Sequence, residues 1–137
     1  MDSTKINSLI DIAKKASDSN FCCKYSNFSV GAALMDKDGN VYSGFNVENQ
    51  GIQSICAERT AFVKALTSGA KDFVAIAVVG KKLGEMHFAK TLPCGYCRQF
   101  MSEYATPDFL IYTIDDATNK IYTYTLSELL PEAFRDF

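Results

Sequence analysis

From about Thr4 to Ser17 the apolar side chains Ile6, Leu9, Ile10 and Ala13 recur at three- and four-residue intervals, which gives a helix one buried stripe. The rhythm then changes. Val30 to Met35 is almost unbroken apolar sequence, Asp36-Lys37-Asp38-Gly39-Asn40 supplies turn residues, and Val41 to Phe45 follows; together they predict a β-hairpin. Cys56 to Leu66 is rich in helix formers and stops before Ser68-Gly69. Phe73 to Val79 is apolar throughout, as in a strand covered on both faces. Cys94 to Tyr104 reads as the next helix, stopped by Pro107. Phe109 to Ile114 and Lys120 to Tyr124 read as strands, and Leu126 to Leu130 as a short helix before Pro131. The order α-β-β-α-β-α-β-β-α predicts an α/β fold: a three-layer α/β/α sandwich with a five-stranded mixed sheet between helical layers.

Size and charge narrow the class. The chain has 137 residues, so one domain over 1–137 is expected, large enough for a core without disulfide staples. The net charge is −2 and no run of Lys or Arg forms a basic stripe. A nucleic-acid partner is therefore not expected, and a small free substrate fits better. The longest strongly apolar run, Phe73 to Val79, is far short of a membrane span. Met1-Asp2-Ser3 lacks the basic-then-apolar start of a signal peptide. An odd count of five cysteines suits a reducing compartment, which predicts a cytoplasmic protein.

The cysteines carry the chemistry. Cys56-Ala57-Glu58 and the later Pro93-Cys94-Gly95-Tyr96-Cys97 offer three thiolates and a carboxylate. Three protein ligands leave a zinc ion a fourth tetrahedral position for water, the mark of catalytic rather than structural zinc. Cys56 and Cys94 fall at predicted helix starts, where the partial positive charge favours thiolates. Cys97 follows Cys94 by one helical turn, so both sulfurs can face one point. Glu58, two residues past a ligand, can stand beside that water without binding the metal. Three thiolates and Zn²⁺ sum to a negative site, so something must withdraw charge from sulfur; Arg59 is placed to do so. Asn46 and Glu48 flank Val47 at a strand end, so their side chains share a face and suit a ligand hydroxyl. Two other readings stay open. Cys94 and Cys97 have the spacing of a redox pair, and Cys22, Cys23 or His87 could close a structural zinc site. Neither explains Glu58 or the Asn46/Glu48 pair. Cys22 and Cys23 otherwise read as ordinary buried or half-buried thiols, and His87 as a surface loop residue.

Four stretches in order extend the pattern: Tyr25-Ser26-Asn27-Phe28-Ser29-Val30-Gly31-Ala32-Ala33, Gly44-Phe45-Asn46-Val47-Glu48-Asn49, Cys56-Ala57-Glu58-Arg59-Thr60-Ala61 and Pro93-Cys94-Gly95-Tyr96-Cys97-Arg98-Gln99. In these the chain resembles the small homotetrameric cytidine deaminases, within the zinc deaminases whose Glu acts as general acid/base. The resemblance implies the same three-layer fold. It also implies hydrolytic deamination of cytidine and 2′-deoxycytidine to uridine and 2′-deoxyuridine with release of ammonia, a step of pyrimidine salvage. One Zn²⁺ per chain would sit on Cys56, Cys94 and Cys97, with Glu58 catalytic and Arg59 donating to the thiolates. Phe28 would pack on the pyrimidine, Asn46 and Glu48 would read the sugar 3′-hydroxyl, and Ala57 would belong to the same substrate-binding set. The resemblance further implies a homotetramer with shared active sites, in which a terminal Phe, Phe137, closes over the base. A related aminopyrimidine nucleoside, including a nucleoside antibiotic, is the alternative substrate; a non-catalytic zinc or redox module is the alternative class. Gln50 to Ile55 departs from the family pattern, being one residue shorter than in many relatives and lacking their Tyr. Finally, Phe134 and Phe137 each cost roughly 1.5–3 kcal/mol if left in water, so both are expected to be buried, in their own subunit or a neighbour's.

Overall fold

The computed structural model describes residues 1–135. Helix α1 spans Ser3–Asp18, and Asp2 caps it by accepting from the Lys5 N–H at 2.9 Å. Strand β1 (Phe28–Asp36) turns back into β2 (Val41–Phe45). The Asp36 carboxylate closes that turn, its Oδ1 accepting from the N–H groups of Asp38 and Asn40, while Gly39 takes φ 88°. Helix α2 (Ala57–Thr67), strand β3 (Phe73–Lys82), helix α3 (Gly95–Tyr104), strands β4 (Leu110–Asp115) and β5 (Lys120–Thr125), and helix α4 (Leu126–Leu129) complete the order predicted from the pattern.

The five strands form one sheet in the order β2-β1-β3-β4-β5. Only β3 and β4 run parallel; the other pairs are antiparallel, so the sheet is mixed. Strand alternation then splits the core in two. Ala33, Ala75, Ala77 and Val79 pack with Leu9, Ile10 and Ala13 of α1. Ala32, Leu34, Ile76 and Val78 pack with Ala57, Ala61 and Phe62 of α2 and with Cys97 and Met101 of α3. This is the three-layer sandwich. Helix α2 approaches the hairpin at Gly44, where an added Cβ would lie 2.8 Å from the Ala61 nitrogen. No helix among the described residues is long and apolar enough to cross a membrane.

Several boundaries shift. Strands β1 and β3 extend past their apolar runs because Phe28 pairs with Lys82 and Ser29 with Lys81, so partner pairing overrides composition. Cys56 and Cys94 are N-caps with extended backbone rather than first helical residues.

Candidate active site and metal centre

Strands β2 and β3 end, and β1 begins, at one end of the sheet, since Gly31 pairs with Phe45 and Phe28 with Lys82. The loops that leave β2 and β3 deliver the N-termini of α2 and α3 to that end. An N-cap side chain ordinarily accepts from the first-turn N–H groups. Neither Cys56 nor Cys94 does so. Both sulfurs are thereby left to face one another, 4.0 Å apart. Cys97, buried on α3, joins them, and the three Sγ atoms lie within 4.8 Å of one another. Zinc–sulfur bonds of about 2.3 Å at tetrahedral angles require sulfurs roughly 3.8 Å apart, so the cluster fits a single zinc ion after sub-ångström adjustment. Cys22, Cys23 and His87 are not part of this cluster.

One thiol of the cluster is biased toward the thiolate that a metal needs. The Cys56 thiol is lowered to about 5, first by the hydrogen bond from Cys97 and then, against burial, by Arg59 and Cys94. Cys97 rises as the protonated partner of that bond. Arg59 donates to Cys56 Sγ at 3.6 Å, and its guanidinium carbon sits 4.4 Å from the centre of the Tyr96 ring. Burial works against the Arg59 charge, but the Cys56 and Cys97 sulfurs hold it above its ordinary value. The guanidinium is thus pressed between an aromatic face and the sulfurs, an arrangement that keeps positive charge on the cluster.

Glu58, in the first turn of α2, is only 4% exposed. Burial pushes its carboxyl up to about 7, and the Cys56 thiolate adds to the effect. It opens, with Cys56, Cys94 and Ala57, onto a cavity of about 300 Å³. Phe28, Asn46 and Glu48 line the same cavity. Glu48 Oε1 accepts from the N–H groups of Tyr25 and Ser26 at 3.2 and 3.0 Å. Burial opposes the charge on Glu48, but the hydrogen bonds from Ser26, Tyr25 and Asn46 hold its carboxyl below the usual value. Asn46 donates to the Phe28 carbonyl at 3.0 Å and to Glu48 Oε2 at 3.4 Å. All predicted site residues therefore converge on the cavity or its sulfur cluster except Phe137, which lies outside the described residues.

Other lining residues were not candidates in the sequence. Val30, Ser54, Ile55, Thr91 and Leu92 complete the wall. Gly80 makes room for the Phe28 ring: a Cβ there would meet Phe28 Cε2 and Thr91 Oγ1, each at 2.7 Å. A glycine ending an apolar strand is the signal that could have found it. The short Gln50–Ile55 segment is folded on itself by paired backbone bonds between Val47 and Ile55 at 2.9 and 2.8 Å. Ile52 at its tip is 97% exposed.

Comparison with known proteins agrees with this geometry. The family model described as the cytidine and deoxycytidylate deaminase zinc-binding region matches residues 3–113. A cytidine deaminase of Sporosarcina psychrophila is 39% identical over 130 residues, covering 94% of this chain and 90% of its own. One from Halalkalibacterium halodurans is 46% identical over 112 residues, 80% of each chain. The crystal structure of cytidine deaminase from Burkholderia pseudomallei superposes with a TM-score of 0.83 at 39% identity, covering 98% of this chain and 100% of that one. With three converging sulfurs, a buried carboxyl beside them and this breadth of likeness, the chain belongs to the cytidine and deoxycytidylate deaminase family.

Proposed function

We propose that the protein hydrolyses cytidine and 2′-deoxycytidine to uridine and 2′-deoxyuridine with release of ammonia, in pyrimidine salvage. The observation that carries this reading is Glu58: a carboxyl held near neutrality inside the cavity that the sulfur cluster borders. When bound by Cys56, Cys94 and Cys97, Zn²⁺ makes water a nucleophile at neutral pH. Glu58 takes a proton from the attacking water and passes it to N3 of the pyrimidine. As the new C4–O bond is completed, Glu58 carries the second proton to the amine, the C4–N bond breaks, and ammonia departs. A carboxyl titrating near the working pH suits both directions of this transfer. Arg59 holds charge against the thiolates, the Phe28 ring faces the pyrimidine, and Ala57 lines the pocket.

Asn46 and Glu48 are assigned to the sugar 3′-hydroxyl. No Lys or Arg is among the described cavity-lining residues, and Glu48 adds negative charge, so a nucleoside fits better than a nucleotide. We further propose one domain over 1–137, a homotetramer with shared active sites in which Phe137 closes over the base, and no nucleic-acid or membrane partner. The reduced cysteines that a three-thiolate site needs support a cytoplasmic enzyme.

The test is ammonia release from cytidine, deoxycytidine, cytosine and CMP by protein of measured zinc content. The two nucleosides should be turned over far faster than base or nucleotide. Zinc-loaded protein that releases no ammonia from any of them would overturn this reading and leave a related aminopyrimidine nucleoside as substrate, or a non-catalytic metal module.

A further inference from the structure

Asn20 lies in the loop after α1, does not line the cavity, and falls outside every stretch that carried the family resemblance. Its side chain nonetheless begins a chain of hydrogen bonds that ends in the pocket. The Cys22 backbone N–H donates to Asn20 Oδ1 at 2.8 Å. A backbone N–H can only donate, so this contact fixes which way the Asn20 amide points. Asn20 Nδ2 is thereby aimed at Asn46 and donates to its Oδ1 at 2.7 Å. The Val30 N–H, another obligatory donor, reaches the same oxygen at 2.9 Å. Both acceptor positions of Asn46 Oδ1 are then filled, and its NH₂ is turned toward the Phe28 carbonyl and Glu48 Oε2. The loop also holds the far end of the chain: the Cys22 carbonyl accepts from the Glu48 N–H at 3.0 Å.

We infer that Asn20 is a positioning residue: together with the Val30 N–H it holds the polarity of the Asn46 amide and so presents to the cavity a Glu48 oxygen that accepts from a ligand hydroxyl. This rests on the assignment of Asn46 and Glu48 to the sugar. The direction of donation runs from Cys22 through Asn20 and Asn46 to Glu48 without reversal. A flipped Asn46 amide would set its oxygen against the Phe28 carbonyl and Glu48 Oε2, three acceptors together, and the carboxylate would turn away. The pocket consequently takes a sugar hydroxyl that donates to Glu48. It discriminates against a sugar that lacks one.

The experiment compares kcat and KM for cytidine and 3′-deoxycytidine in zinc-loaded wild type, Asn20→Asp, Asn20→Ala and Glu48→Ala, with urea midpoints as a check on folding. Asn20→Asp can keep the bond to the Cys22 N–H but places an acceptor against Asn46 Oδ1. It should raise KM for cytidine about tenfold, as when one buried hydrogen bond is mispaired. Its kcat should stay within about twofold, and 3′-deoxycytidine should be little affected. Asn20→Ala removes one donor and leaves Val30 in place, so discrimination should fall only about threefold. An Asn20→Asp protein that loses both substrates equally, or that keeps wild-type discrimination, overturns the inference. Should that variant fail to fold, Asn20→Ala decides: unchanged discrimination overturns the inference. Glu48→Ala separates the two levels. If it preserves discrimination, the sugar assignment fails and the inference with it. If it abolishes discrimination while Asn20→Asp does not, only the role of Asn20 fails.

Discussion

Glu58 stands where two demands conflict. A carboxyl this deeply buried resists ionisation, yet the proposed chemistry requires it to lose and regain a proton. Its value of about 7 balances the two. Glu58→Gln keeps the shape and removes the proposed proton carrier. Turnover should drop at least about 10⁴-fold, the top of the range for one acid/base group, while metal analysis still finds close to one zinc per chain. A variant retaining a tenth of wild-type turnover would refute the role. The same burial leaves a mark on stability. Between the ordinary carboxyl value of 4.5 and about 7 the native metal-free protein holds a proton that the unfolded chain has released. Stability therefore falls as pH rises through that window, by about 3 kcal/mol in all. Urea titrations of metal-free protein should show Glu58→Gln gaining on wild type by about that amount between pH 4 and pH 8. At this scale the sequence was legible where chemistry imposes spacing: the three cysteines, Glu58, and the shared face of Asn46 and Glu48. Thr91 and Asn20 were not legible, because their parts depend on which strand or loop lies opposite, and residue type alone does not encode that; Gly80 carried a signal, but not which ring it makes room for.

At the scale of elements, two helices begin on cysteines where Ser, Asp or Thr would cap better. The sulfurs are withheld from capping, so α2 and α3 start with first-turn N–H groups unsupported by their caps. Metal-free Cys56→Ser should gain up to about 1 kcal/mol in urea denaturation, because a serine hydroxyl can cap α2. The same variant should lose its zinc and its activity. A Cys56→Ser protein no more stable than wild type would show that the helix start has no capping deficit. Gly44 makes a second, independent claim about α2. Gly44→Val would force a side chain into the Ala61 backbone, and should cost about 1–3 kcal/mol; the urea midpoint reads it directly. Element order was fully legible because helix-forming segments alternate with short apolar runs bounded by turn residues. The ends of β1 and β3 were not, since Lys81 and Lys82 become strand only through the pairing partner that β1 supplies.

For the whole molecule, burial of the terminal phenylalanines within the chain was one of two expectations, and Phe134 does not meet it, being 67% exposed. Its backbone carbonyl is tied to α3 by Gln99 at 3.0 Å, and Arg135 donates to the Ser102 carbonyl at 3.0 Å, so residues 134 and 135 are anchored to α3. Phe21 and Ile52 are likewise at the surface. Such side chains favour association, and light scattering should give a mass near four chains; a fully active monomer would defeat the shared-site proposal. The sulfur cluster has one more consequence. Cys56 and Cys94 are 38 residues apart in sequence, and the segment between them contains β3, the central strand. An ion joining them acts as a reversible crosslink. A link that persisted through unfolding would deprive the unfolded chain of about 4 kcal/mol of loop entropy. A link that broke would forfeit the binding energy, about 2.7 kcal/mol at a hundredfold excess of free zinc over its Kd. Either way, a chelator should lower the melting temperature, and equal melting curves with and without it would contradict this. Loss of the ion then removes shape as well as chemistry, and the amount of folded enzyme should follow the supply of zinc.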